Sequence, residues 1–133
     1  MKTSTTRQTA NYYIDTENIG SKWINIIIES KNTSIKQIFH IFYTSKNNIL
    51  KLSYCTLNSL VRMQPRLNFH LCQPGNNALD FQLIAELGIN IQKNQTYYIV
   101  SNDRDYEIPI DYLNKKGYKI KQLKPEDLKN YII

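Results

Sequence analysis

The sequence predicts an α/β fold built on a mainly parallel five-stranded sheet. Apolar and β-branched runs of strand length alternate with helical patterns from residue 11 onward. Turn and stop residues fall between these runs, notably at Pro74 to Asn77 and at Gly117. No repeat and no Pro/Gly-rich linker divides the 133 residues, the size of one ordinary domain. Strand and helix in alternation require right-handed crossovers, hence parallel neighbours.

Met1 to Ala10 is polar, has no apolar segment of secretory type, and is expected to be a loose tail before a single domain of residues 11–133. Asn11 to Asp15 (NYYID) predicts a short buried strand. Ser21 to Ser30 has the length of a helix, although its three consecutive isoleucines also suit a strand. Ser34 to Tyr43, rich in Ile, Phe and Tyr, predicts the second strand. Ile49 to Met63 predicts a helix closed before Pro65, and Leu67 to Cys72 the third strand. Ala78 to Asn90 is the clearest helix. Leu79, Leu83 and Leu87 recur there at i, i+4 and i+8, and Asn76 or Asn77 can cap its start. Thr96 to Ser101 predicts the fourth strand. Tyr106 to Lys116 predicts a helix with Pro109 in its first turns, two lysines in its last, and Gly117 just beyond. Tyr118 to Leu123 completes the sheet, and Pro125 to Ile133 adds a last helix.

Composition narrows the function. Hydrophobic residues make up 41%, enough for a core without disulfides or a structural metal. A formal net charge of +6 suits a polyanionic partner such as nucleic acid. Cys55 and Cys72 have no metal-site spacing and read as free thiols in a reducing cytosol, so a cytoplasmic location is expected. The longest apolar stretch, Ile24 to Ile28, is too short to span a membrane. No Ser, Cys or His set suggests a nucleophilic triad. His40 and His70 sit mid-strand and read as packed histidines.

The chemistry concentrates in four aspartates. Asp15 ends the first strand, Asp103 and Asp105 follow the fourth, and Asp80 lies in the first turn of the strongest helix. With the strand order 3-2-1-4-5, strands one and four are neighbours, and Asp15 and Asp103 meet at the crevice where such sheets bind ligands. Alone, each has an ordinary account: Asp80 favours the helix dipole, and Asp103 makes a turn. Together, three segments deliver carboxylates to one edge. Crowded carboxylates repel and need a positive charge among them. Oxygen-only ligands favour Mg²⁺ or Mn²⁺, which binds through a few carboxylates plus phosphate oxygens and activates water for displacement at phosphorus.

Three motifs carry a family resemblance. Asp15-Thr16-Glu17-Asn18 follows an apolar strand as a D-x-x-N opening. Ala78-Leu79-Asp80-Phe81-Gln82-Leu83 matches a helix start bearing a second aspartate. Ser101-Asn102-Asp103-Arg104-Asp105-Tyr106 is similar to an S-G-D-S-D-F segment. In order and spacing the chain resembles the PIN-like superfamily of nucleases, most closely its NYN-type branch. The resemblance implies a three-layer α/β sandwich and divalent-metal-dependent phosphodiester cleavage, more often of RNA than DNA. Carried over by position, Asp15, Asp80 and Asp103 would hold metal, and Asp105 would complete the cluster or orient a metal-bound water. Asn18 would support Asp15 or touch substrate. Homodimers are common in this superfamily, so one is expected here. The chain departs from the pattern in three places: Asn102 stands where the family has Gly, Asn77-Ala78 where it often has Lys-Gly, and the fourth acid that many members carry on an early helix has no clear equivalent, Glu29 lying at the far end of its helix.

Glu17, two residues beyond Asp15, is a further site candidate, and Arg104 is a candidate phosphate contact. Lys115, Lys116, Lys119, Lys121 and Lys124 form a basic cluster that reads as a solvated face or as a nucleic-acid track. The rival function is a PIN-like module with weak catalysis that binds RNA or a protein partner. A receiver domain is excluded because the third strand ends in His70-Leu71-Cys72-Gln73 without an acid, and a nucleotide-binding domain because no glycine-rich phosphate loop exists.

Overall fold

Ala10 to Asp15 are all buried because the first strand lies in the middle of the sheet, paired on both edges. A computed structural model describes residues 8–30, 35–46, 54–63 and 66–132. Five strands, β1 (Thr9–Asp15), β2 (Lys36–Thr44), β3 (Leu67–Cys72), β4 (Thr96–Val100) and β5 (Lys119–Leu123), form one sheet in the order β3-β2-β1-β4-β5. Every neighbouring pair is parallel. The helices are α1 (Thr16–Ile19), α2 (Trp23–Ile28), α3 (Tyr54–Val61), α4 (Ala78–Asn90), α5 (Glu107–Lys115) and α6 (Pro125–Ile132), with a 3₁₀ turn at Arg104–Tyr106.

A parallel sheet needs cover on both faces, and alternate residues of each strand supply it. On one face Tyr12, Ile14, Phe39, Ile41 and Val100 pack with Trp23, Ile24 and Ile27 of α2 and Leu128 and Ile132 of α6. On the other, Tyr13, Phe42, Tyr97 and Ile99 pack with the α4 stripe Leu79, Leu83 and Leu87 and with Tyr106 and Ile110. The three layers are therefore helix, sheet and helix. Tyrosine rings serve this packing: Tyr12 stacks on Phe39 at 5.1 Å and on Tyr98 at 5.0 Å.

Several boundaries differ from the sequence expectation. Strand β1 begins at Thr9, two residues early, because Thr9 and Ala10 already pair with Lys36 and Gln37. The helix expected over Ser21 to Ser30 shrinks to Trp23–Ile28, and a separate single turn, α1, precedes it. Gly20 divides the two at φ 65°, a conformation open to glycine. The expected helix start at 49–53 and the Pro65 stop lie outside the described residues, as do Ser34, Ile133 and most of the expected tail. Asn77 occupies the N-cap of α4, but no side-chain hydrogen bond caps the helix there. The residue is held at φ 59°, a left-handed state that Asn tolerates. Gly117 follows α5 at φ 98°, as a C′ stop should.

Register sets up the site. Ile14 stands opposite Val100, so Asp15 and Ser101 are the next positions at the carboxyl edge. No helix among the described residues is long and apolar enough to cross a membrane.

The α4 stripe seals the face from which the site is built. Leu83→Ala should therefore destabilise the protein by about 2–5 kcal/mol. Urea unfolding checks this; a loss below about 1 kcal/mol would show that Leu83 is not a core contact.

Candidate active site

Asp15 is the most constrained acid in the molecule. It ends β1, caps α1, and is 1% exposed. A carboxylate withdrawn from water this far needs donors. Three segments supply them: the Asn18 backbone N–H donates to Oδ1 at 3.2 Å, and the Ser101 hydroxyl at 3.2 Å and the Tyr106 hydroxyl at 3.1 Å both donate to Oδ2. Burial still pushes its pKa above the usual carboxylate range. The three hydrogen bonds oppose that shift, and the Glu17 charge adds to it.

Asp80 enters from the first turn of α4. Its Oδ1 lies 3.2 Å from the same Tyr106 hydroxyl, which thereby bridges two carboxyl groups. A phenol has one proton, so it cannot donate to two carboxylates at once. Asp80 eases the conflict by binding a proton more readily than an ordinary carboxyl group. Its pKa is pushed up to about 6, first by burial, then by the Asp15 charge, and further by the charge of Asp103 and a hydrogen bond with it. Tyr106 is held far above the usual phenol range by burial and by the two acids, so it remains a donor.

Asp103 stands at the third wall. Its backbone N–H donates to the Ser101 hydroxyl at 3.0 Å, so one serine links Asp103 to Asp15. Its Oδ1 accepts the Asp105 backbone N–H at 2.9 Å, which starts the 3₁₀ turn that carries Tyr106. The Gln122 amide of β5 donates to the carbonyls of Ser101 at 2.8 Å and Asp103 at 2.7 Å, anchoring the loop. Asn18 Oδ1 accepts the Asn102 backbone N–H at 2.8 Å. Asn102, in the place of the family's Gly, needs no left-handed backbone: among the described residues only Asn77 is a non-glycine at positive φ.

Asp15, Asp80 and Asp103 line one open cavity of about 280 Å³, together with Glu17, Asn18 and the loop Gly75–Asn77. Asp105 does not line it; its side chain borders a second, apolar groove. Arg104 turns to Glu107 in an exposed pair at 3.7 Å, a geometry worth little in stability. Three lysines of the basic cluster have local partners. Lys115 pairs with Asp111 at 3.1 Å, Lys116 lies over Tyr112, and Lys121 donates to the Tyr131 hydroxyl at 3.0 Å. Lys115 and Lys116 sit at the end of α5 remote from the cavity. Tyr106, Ser101 and Gln122 hold the site together, yet none stood out in the sequence as a site residue.

Among the described residues no three His, Cys, Asp or Glu side chains close into a ready-made metal cage. The cavity offers instead carboxylate and amide oxygens around open space, which fits a hard cation that keeps waters and completes its shell with substrate oxygens.

Residues 9–123, from the start of β1 to the end of β5, match the family model of the PIN domain. The chain belongs to the PIN domain family. No curated protein and no solved structure matches it. PIN domains are generally metal-dependent nucleases, and divalent metals are typical of the family. The PIN match covers all four aspartates and every residue of the hydrogen-bonded network.

The raised pKa of Asp80 has a pH signature. Folded protein holds a proton that the unfolded chain releases near the ordinary value of 3.8, so the stability contributed by neutral Asp80 is lost as pH rises toward about 6. In metal-free buffer Asp80→Asn should melt above the parent at about pH 7.5 and close to it at about pH 4. Equal melting differences at the two pH values would contradict this assignment.

Proposed function

We propose that this PIN domain is a divalent-metal-dependent nuclease that hydrolyses phosphodiester bonds, with RNA as the favoured substrate. One observation carries the reading. Three carboxylates from β1, α4 and the loop after β4 line one open cavity at the carboxyl edge of the sheet, and burial together with the Asp15 charge pushes the Asp80 pKa up to about 6. The net charge of +6 suits a polyanion. The D-x-x-N opening supports an NYN-type PIN domain, because Asn18 both donates to Asp15 and accepts from Asn102. The free Cys55 and Cys72 suit the cytoplasm.

In this reading Asp15, Asp80 and Asp103 would hold Mg²⁺ or Mn²⁺, and the ion would supply charge neutralisation at phosphate and activation of water. Tyr106 and Ser101 fix the Asp15 carboxylate, so its orientation is set before substrate arrives. Asn18 and Glu17, on the cavity wall, face the sugar–phosphate chain. Asp105 acts through its backbone, which orients Asp103, and through its place at the edge of the second groove. Arg104, exposed and held only by its weak pair with Glu107, would reach phosphate outside the cavity.

The second reading is a PIN module that binds RNA or a protein without efficient cleavage. Cleavage of single- and double-stranded RNA and DNA in Mn²⁺, Mg²⁺ and EDTA separates the two. The nuclease reading expects cleavage that EDTA abolishes. It also expects Asp103→Asn to lose about two orders of magnitude or more while nucleic-acid binding survives. A variant that cleaves as fast as the parent would remove Asp103 from the mechanism. Millimolar Mn²⁺ or Mg²⁺ should also raise the melting temperature of the parent, since the ion binds only the folded site.

A further inference from the structure

Beside the acidic cavity runs a groove of opposite character. It has a volume of about 360 Å³ between α4 and α5, and it shares Asn77 and Asp80 with the cavity. Its walls are apolar. Phe81 and Ile84 come from α4, Ile108 and Pro109 from α5, and the Tyr106 ring lies between. Phe81 is 72% exposed and Ile108 78% exposed, so both water-facing walls carry large apolar side chains. Scattered exposed apolar residues need no explanation, but two that line one groove against the acidic cavity do. Neither serves the core: the α4 stripe that packs on the sheet is Leu79, Leu83 and Leu87.

We infer that this groove takes the unpaired base of a nucleotide next to the phosphate held in the acidic cavity, with Phe81 as its stacking face. The inference rests on the nuclease reading for the phosphate and adds the base. Three features argue for this occupant. The Asp80 wall is common to both compartments, so a ligand filling both must change from anionic to flat and apolar within one repeat, as a nucleotide does. Stacking on an aromatic ring needs no particular base and is the usual way that proteins hold unpaired strands. The groove also has polar atoms at its border: Asp105 accepts and Asn77 both donates and accepts, which suits a base edge freed from pairing. A base within a duplex presents neither its face nor that edge.

The test uses a single-stranded hexanucleotide carrying 2-aminopurine at each position in turn. It is bound in Ca²⁺ and, separately, cleaved in Mg²⁺ or Mn²⁺. The parent should quench the fluorophore at one position. Phe81→Ala should abolish that quench and weaken binding about tenfold. Phe81→Trp should keep both, and Phe81→Leu, apolar but flat on no face, should not. An oligonucleotide with an abasic site at the quenched position should bind the parent about tenfold more weakly and be indifferent to Phe81→Ala, because the two losses are the same loss. A misfolded variant would instead lose the abasic ligand as well, in which case Ile108→Ala on the facing wall repeats the comparison. Phe81→Ala that binds and quenches like the parent overturns the inference. So does a variant that falls from dimer to monomer in sedimentation with binding unchanged, which would make the groove a contact between copies. So does a parent that binds no single strand. Quenching without metal-dependent cleavage would overturn the nuclease reading and leave the base site standing.

Discussion

The buried carboxylate of Asp15 is the constraint on which the rest of the site depends. It ends the central strand, almost wholly shielded from water, and its oxygens accept from α1, from the residue after β4 and from the turn before α5. Each donor does a second task. Ser101 also accepts from the Asp103 backbone, Tyr106 also reaches Asp80, and Asn18 also holds the loop at Asn102. Losing this one carboxylate would take the acceptor from the buried Ser101 hydroxyl and leave the Tyr106 hydroxyl with Asp80 alone, and a buried donor without its acceptor is costly. The fold and the proposed active geometry are therefore parts of the same network.

That network also explains why the acids tolerate one another. Three carboxylates close together without a cation repel, and the protein relieves this by keeping Asp80 able to hold a proton near pH 6. Such a site stores unfavourable charge that a divalent ion would release, which is the trade between stability and function expected at an active centre. The apolar groove next to it has the complementary character, and Asp80 is the side chain where the two meet.

Much of the fold was legible in the sequence because its signals are local. The bounds of β3 and α4 are those expected: a turn cluster at Pro74 to Asn77 separates them, and the recurrence of Leu79, Leu83 and Leu87 runs through a segment of 13 residues, the length of a helix rather than of a strand. The strand order followed from alternation plus the PIN resemblance. Boundaries moved where tertiary pairing or a single glycine decides them, as at Thr9 and Gly20. Within the candidate site, Asp15, Asp80 and Asp103 were visible because strand ends and helix starts are readable. The Tyr106 hydroxyl was not: its partners lie 91 and 26 residues away in the chain. Its ring stands at the aromatic position of the motif after Asp103, and that signal predicts a core ring rather than a bridging phenol. The side-chain directions of Asp105 and Arg104 were equally beyond local reading, since a 3₁₀ turn separates residues that the motif lists together.

The central claim is that Tyr106 and three crowded carboxylates form one electrostatic unit built to receive a divalent cation. The most direct measurement is a ¹³C NMR titration of the aspartate carboxyl carbons, in EDTA and then in saturating Mg²⁺. Without metal the Asp80 midpoint should lie at about 6, and Mg²⁺ should move it down by at least about one unit. An Asp80 that titrates near the ordinary value of 3.8 and ignores Mg²⁺ would contradict it.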